Sequence, residues 1–314
     1  FEILAKSTPL IIMGLGISIG IRGGLSNLGG DGQFYVGAVC SVIVGIYLPQ
    51  TLPAPLIWLL GAAAAIVSGM LYGALAGFLK AKFNTNEVII TIMLNYVAQY
   101  VTSWLVSGPL QAPGGIPQTR ALQPSYCLPK LMQGTRAHWG FVIAIACVVL
   151  IGLFMFNTRW GYTIRMIGIN QAFAKYSGMK VATVIVLSQV LGGFLAGIGG
   201  GIEMLGRYPT FSWSSLPGYG WTGITIAILA GNNPWFVPFA SFFMAYLTKG
   251  CELMATYANV PSQLIDIIQG VIFLFFAAEQ FLSKYRQKLV VKTAQEELAA
   301  KAALEAQKGG AERA

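Results

Sequence analysis

Arg159–Lys180, RWGYTIRMIGINQAFAKYSGMK, is a polar interval between two long apolar runs, punctuated like a short built helix. Asn170 offers a side-chain acceptor at an N-cap, Gln171 to Ser177 make about two turns, and Gly178 supplies a left-handed stop. Arg159, Arg165, Lys175 and Lys180 crowd into the interval without an acid among them. Short basic loops between membrane spans lie on the cytoplasmic side. The stretch reads either as a surface loop carrying a turn of helix or as a knob on which a cytoplasmic partner docks. The surrounding chain has to decide.

Working outward, 55% of the 314 residues are apolar and only 10% are charged. A soluble domain carries about a quarter charged residues, so too little polar surface exists here to cover a water-soluble globule. The expected fold is all-α: a polytopic transmembrane helical bundle. The 38 glycines suit helices that approach closely through small side chains. A net charge of +9 reports cytoplasmic loops facing anionic headgroups of the bilayer rather than a nucleic-acid partner. Four scattered cysteines, no C-x-x-C pair and one histidine indicate neither a metal site nor a disulfide framework. The chain opens on Phe1, which reads as a start one span late.

Pro9 to Ile21 is the apolar end of a first span, closed by Arg22. GGLSNLGGDGQ, Gly23 to Gln33, is too glycine-rich for an uninterrupted helix and reads as a break between half-helices. Hydrocarbon tolerates such a break only where protein or a water-filled cavity satisfies the freed backbone. Phe34 to Leu48 continues as a short span, and Leu56 to Leu79 is long enough to cross. Lys80 and Lys82 mark an inner end, and Asn84 with Glu87 has capping-box spacing ahead of the span Val88 to Val106. Ser107 to Trp139 is an outer loop by alternation, although Arg120, Lys130 and Arg136 count against that side. Gly140 to Phe156 returns inward to the basic stretch.

Val181 to Leu205 goes out again. Glu203 near its outer end is either solvated or polar glue, and an outer loop with interfacial aromatics follows. Trp221 to Ala230 is too short to span and reads as a partial traverse, a second-half counterpart of the glycine-rich break. Such paired interruptions suggest internal repeats with a pathway between them. Trp235 to Tyr257 and Gln263 to Leu282 complete the spans, and Lys284, Arg286, Lys288 and Lys292 anchor the end inside. The domain reading is a permease body over 1–283 and a cytoplasmic tail over 284–314.

No G-x-x-x-x-G-K-[ST] occurs, so the chain carries no phosphate-cradling loop of its own. No catalytic set appears, and His138 reads as an interfacial side chain rather than a general base. Asp31, Glu203, Glu252 and Asp266 lie mostly near span ends, which argues weakly for an external energy source over a proton- or sodium-coupled carrier.

GLSNLGGDGQFYVGA (24–38), NEVIITIMLNY (86–96), RMIGINQAFAKYSGM (165–179), GYGWTGITIAILAGNNP (218–234) and VPSQLIDIIQGVIFLF (260–275) occur in order. Together they resemble the permease family of bacterial ABC importers that includes the ribose and branched-chain amino acid permeases. The nearest branch is that of simple-sugar and nucleoside permeases, whose first motif resembles F-N-I-G-x-E-G-Q. This chain departs from it at Leu25-Ser26-Asn27-Leu28 and at Asp31.

The resemblance implies a multi-pass subunit of the bacterial cytoplasmic (inner) membrane that is not itself an enzyme. Its implied partners are cytoplasmic ABC ATPase subunits that use ATP and Mg, a second permease subunit (the same or homologous), and an extracytoplasmic solute-binding protein. No cofactor would sit in this chain. Arg165, Gly168, Asn170, Ala174 and Gly178 would belong to the segment that couples to the ATPase. Asn27, Asp31, Gln33 and Asn95 are the candidate polar groups on the path of a small polar solute, a nucleoside or simple sugar. For Asn95 an interhelical hydrogen bond is an equal alternative, and for Asn27 and Asp31 the capping of broken helices. The alternative function is a self-sufficient secondary carrier or channel.

Overall fold

The computed structural model describes residues 1–49, 52–122, 126–131 and 134–257, with isolated positions beyond. The chain falls into two compact units, Phe1–Val260 and Pro261–Ala314. The expected last span, Gln263–Leu282, and the tail lie outside the continuously described residues. In the first unit the helices are α1 (Glu2–Arg22), α2 (Gly30–Tyr47), α3 (Ala54–Phe83), α4 (Glu87–Ser107), α5 (Gly140–Asn157), α6 (Arg159–Ile169), α7 (Gln171–Tyr176), α8 (Val181–Arg207), α9 (Tyr219–Leu229) and α10 (Val237–Tyr257). Among the described residues five of them, α1, α3, α4, α5 and α8, are long and apolar enough to cross a membrane. The fold is an all-α polytopic bundle.

Its centre is α8, and the reason is glycine. An added Cβ on Gly193 would overlap the Gly69 carbonyl of α3, one on Gly197 the Ala65 carbonyl, and one on Gly200 the Phe34 carbonyl of α2. On a further face Gly192 lies against Gly16 of α1. Three helices thus reach α8 at backbone distance from different sides. In hydrocarbon, where apolar burial against lipid offers no drive, such contact supplies the dispersion and Cα–H···O terms that hold helices together. α1 is buried over Ala5–Gly20 apart from Lys6. α3, α4, α5 and α10 each leave one apolar face outward, with Leu71, Trp104, Leu150 and Phe239 exposed, as lipid-facing helices must.

α1 begins at Glu2, earlier than the apolar pattern marks, and runs through Pro9. A proline removes the bond to the carbonyl four residues back. Here the freed carbonyl is that of Ala5, while the Ser7 and Thr8 hydroxyls donate to the neighbouring Leu4 carbonyl (2.9 and 3.0 Å). Its start is tied to the end of α10 by Lys6–Glu252 and Lys249–Glu2 ion pairs.

The expected capping box at Asn84 and Glu87 is divided differently. Asn84 ends α3 in the left-handed region (φ 47°), and Asn86 caps α4 by accepting from the Val88 N–H at 3.0 Å. Asparagine tolerates positive φ better than other side chains, so one asparagine stops and the other starts. Glu87 turns instead to Lys80 at 2.8 Å.

The loop segments 108–122 and 208–218 interlock at one end of the bundle. Thr119 donates its N–H to the Phe211 carbonyl and accepts the Phe211 N–H on its hydroxyl, both at 3.0 Å. Leu122 donates to the Pro209 carbonyl at 2.7 Å. His138 is not interfacial: it is buried, and its Nδ1 accepts from the Gly140 N–H at 3.1 Å at the start of α5. Burial, with Arg207 nearby, pushes its pKa down to about 4, so the ring is neutral at pH 7. The opposite end carries Arg22, Lys80, Lys82, Arg159, Arg165, Lys175 and Lys180.

Candidate functional site

The break after α1 turns sharply. Gly24 adopts φ +73°, and Leu25 donates back to the Gly20 carbonyl at 3.0 Å. The chain then runs without helix to Gly29, and α2 restarts at Gly30, against Met13 and Ile17 about half-way along α1. A helix that restarts inside a bundle must find partners for its first N–H groups. Asn27 and Asn95 provide them, and both are buried. Asn27 Oδ1 accepts from the Gly29 N–H at 2.9 Å, and its Nδ2 donates to Gln33 Oε1 at 3.4 Å. Asn95, reaching across from α4, accepts from the Gly32 N–H and donates to the Leu28 carbonyl, both at 2.8 Å.

Asp31 joins the second interruption to the first. Its Oδ1 accepts from the Gly220 N–H at 2.7 Å. Gly220 lies in the first turn of α9, which starts after Gly218 in the left-handed conformation (φ 77°). The starts of α2 and α9 therefore meet at one carboxylate, where both helix dipoles favour negative charge. α9 is only 11 residues long and ends near Asn232, whose carbonyl accepts from Arg22 Nε at 2.5 Å. Asn27, Asp31, Gln33 and Asn95, scattered over 69 positions of the chain, thus form one buried polar cluster. Three of its bonds, to the N–H groups of Gly29, Gly32 and Gly220, also serve a helix start.

The basic stretch folds as two helices. Thr158 caps α6 by accepting from the Gly161 N–H at 3.1 Å. Gly161 fits because an added Cβ would overlap the Phe154 carbonyl, so α6 turns back tightly on α5. Asn170 caps α7 by accepting from the Phe173 N–H at 3.0 Å, and Gly178 closes it at φ +79° with Met179 donating to the Ala174 carbonyl at 3.0 Å. Ala174 is buried, whereas Phe173 and Tyr176 are 53% and 93% exposed. Those aromatic side chains were missed by sequence reasoning, although their spacing of three after a cap places them on neighbouring positions of one exposed face.

Gly168 links the two regions. An added Cβ there would lie 2.8 Å from the Arg22 carbonyl carbon and 3.0 Å from the Gly24 nitrogen. The last turn of α6 rests directly on the backbone of the break. Arg165 stands apart from α7: its guanidinium lies over the Phe156 ring, 5.1 Å from the centroid. Asn170, Ala174 and Gly178 belong to the small helix itself.

Gly178 gives a direct test of α7. No atom lies within 4 Å of an added Cβ, so a substitution there acts through backbone strain alone. A non-glycine residue in the left-handed region costs about 1–2 kcal/mol, more when β-branched. Gly178→Val is expected to loosen α7, speeding amide exchange at Ser177 and Met179 several-fold with the thermal midpoint nearly unchanged, and Gly178→Asn to stay near wild type. Hydrogen exchange and a thermal melt measure both.

Comparison with known proteins agrees along most of the chain. The family described as branched-chain amino acid transport system / permease component matches residues 1–277. A glucose ABC transporter permease protein of Haloferax volcanii is 34% identical over 91% of this chain and 77% of its own length. A guanosine ABC transporter permease protein of Bacillus subtilis is 33% identical over 93% and 85%, and a nucleoside permease of Lactococcus lactis 28% over 90% and 79%. No solved structure matches. The chain, a helical bundle with interrupted helices, belongs to the branched-chain amino acid transport system / permease component family, as a multi-pass membrane subunit of an ABC importer.

Proposed function

We propose that this permease carries a nucleoside or simple sugar along a path beside Asn27, Asp31, Gln33 and Asn95. The observation that carries the reading is the buried amide cluster where α2 and α9 begin. Amides both donate and accept, as a hydroxyl-rich uncharged solute requires. Relatives named for glucose, guanosine and nucleosides support that class. The chain is a transport subunit, and ATP and Mg act in cytoplasmic ATPase subunits. A second permease subunit and an extracytoplasmic binding protein complete the assembly in the bacterial inner membrane. The basic end faces the cytoplasm by the charge bias of short loops, and the exposed face of α7, with Phe173 and Tyr176, docks on the ATPase.

Force applied to α7 passes through α6 to Gly168 and from there to the backbone of the break. Asn27 and Asn95 hold the break to the start of α2, and Asp31 ties that start to α9, so moving the break re-aims the starts of α2 and α9 together. That is a route from the knob to the cluster. The decisive experiment is uptake of labelled guanosine and glucose by proteoliposomes holding the permeases, ATPase and binding protein. Uptake that continues without ATP or without the ATPase subunits would overturn the proposal.

Asn95→Leu separates path from packing. It leaves the Gly32 N–H and Leu28 carbonyl unpaired, each costing about 1–3 kcal/mol when buried. A lower thermal midpoint is expected on either account. A path role adds at least a tenfold rise in the solute concentration giving half-maximal uptake. An unchanged half-saturation value in folded Asn95→Leu assigns the residue to helix packing alone.

A further inference from the structure

Where α1 ends, two guanidiniums share one aromatic ring. Arg22 lies 5.3 Å and Arg165 5.1 Å from the Phe156 centroid, both within cation–π range. They border a cavity of about 460 Å³ whose wall also includes Tyr162, Met166 and Asn232. Among the described residues neither arginine makes an ion pair. Arg165 Nε is buried and has no hydrogen-bond partner, and the Asn232 Oδ1 beside it has none either. Like charges lining one partly dry cavity repel each other unless an anion lies between them.

We propose that this cavity binds the phosphate headgroup of an anionic phospholipid from the cytoplasmic leaflet. A guanidinium pair suits phosphate oxygens, which planar forks grip bidentately. The level in the membrane also fits. Arg22 closes a membrane-crossing helix, and Asn232 follows α9, so the cavity lies where spans meet the interface rather than out on α7. Tyr162 of α6, in its wall, is 51% exposed, and this residue type favours the headgroup layer. Lipid bound here would rest against the helix whose Gly168 touches the break.

The test measures the thermal midpoint of the full permease with its ATPase subunits, in nanodiscs of phosphatidylcholine with and without phosphatidylglycerol. Phosphatidylglycerol is expected to raise the midpoint of wild type, and Arg165→Gln to remove most of that rise while Arg165→Lys keeps part of it. Should Arg165→Gln not fold, the wild type still decides: high salt should shrink the rise, since it depends on charge. The proposal is overturned by an equal rise in Arg165→Gln, by a salt-independent rise, or by phosphatidylcholine acting as well. It is overturned too if inorganic phosphate alone gives the same effect. None of these readouts involves solute, so they leave the transport reading untouched.

Discussion

Replacing Gly168 with valine is expected to abolish ATP-driven uptake while the ATPase subunits keep hydrolysing ATP. The obstacle is backbone, which cannot rotate away. An added Cβ at Gly168 meets the Arg22 carbonyl group and the Gly24 nitrogen, and one at Gly24 would in turn lie 3.1 Å from Gly168 Cα. Either α6 lifts off the break or the break is pushed toward Asn27. Overpacking of this kind costs about 1–3 kcal/mol and sometimes more. The contact at stake lies on the proposed route from α7 to the α2 and α9 starts, so lifting it leaves the knob free to move without consequence inside. Gly178→Val distorts the knob and should lose transport in part, whereas Gly168→Val cuts what the knob pushes on. Near-wild-type uptake in a Gly168→Val protein with a normal thermal midpoint would sink the coupling route.

Little of that contact could be read from the chain. A glycine inside a helical pattern announces low helix propensity but not its neighbour, and Gly168 and Arg22 are 146 positions apart. The local devices were legible because their physics is local: the Asn170 cap, the Gly178 stop, the glycine-rich break and the short α9. α6 was missed because Arg159–Ile169 carries Arg159, Tyr162, Thr163 and Arg165, whose polarity reads as loop. Its buried positions, Gly161, Ile164 and Ile167, keep a spacing of three that marks one helix face. His138 looks interfacial because it ends a polar loop, yet its ring is buried against Gly206 of α8 and Gly140 of α5. The four polar candidates could be named one by one from residue type. That Asp31 meets Gly220, 189 positions away, rests on how the two half-helices pack.

Gly193→Val is expected to remove most of the folded permease from the membrane fraction. Both residues at this crossing are glycine for the same reason. The added Cβ on Gly193 overlaps the Gly69 carbonyl, and one on Gly69 overlaps the Gly193 carbonyl. No rotamer change relieves either clash, so α3 and α8 must separate. Separation at one point propagates, because an added Cβ on Gly73 of α3 would overlap the Gln189 carbonyl of α8, and one on Gly77 would lie 3.0 Å from Val186 Cα. A lost fraction of an ångström along such a seam forfeits a quarter or more of each dispersion contact, and lipid fills the gap at no apolar cost. The loss should reach several kcal/mol, a large part of a typical total. Ala63→Val adds similar bulk on an exposed position of α3 and should leave yield and thermal midpoint unchanged. α8 also holds α1 and α2, so its displacement would carry the polar cluster apart with it. A monodisperse Gly193→Val protein melting at the wild-type temperature would mean that the bundle does not depend on this seam, and that α8 is not the element on which the break and the half-helices are hung.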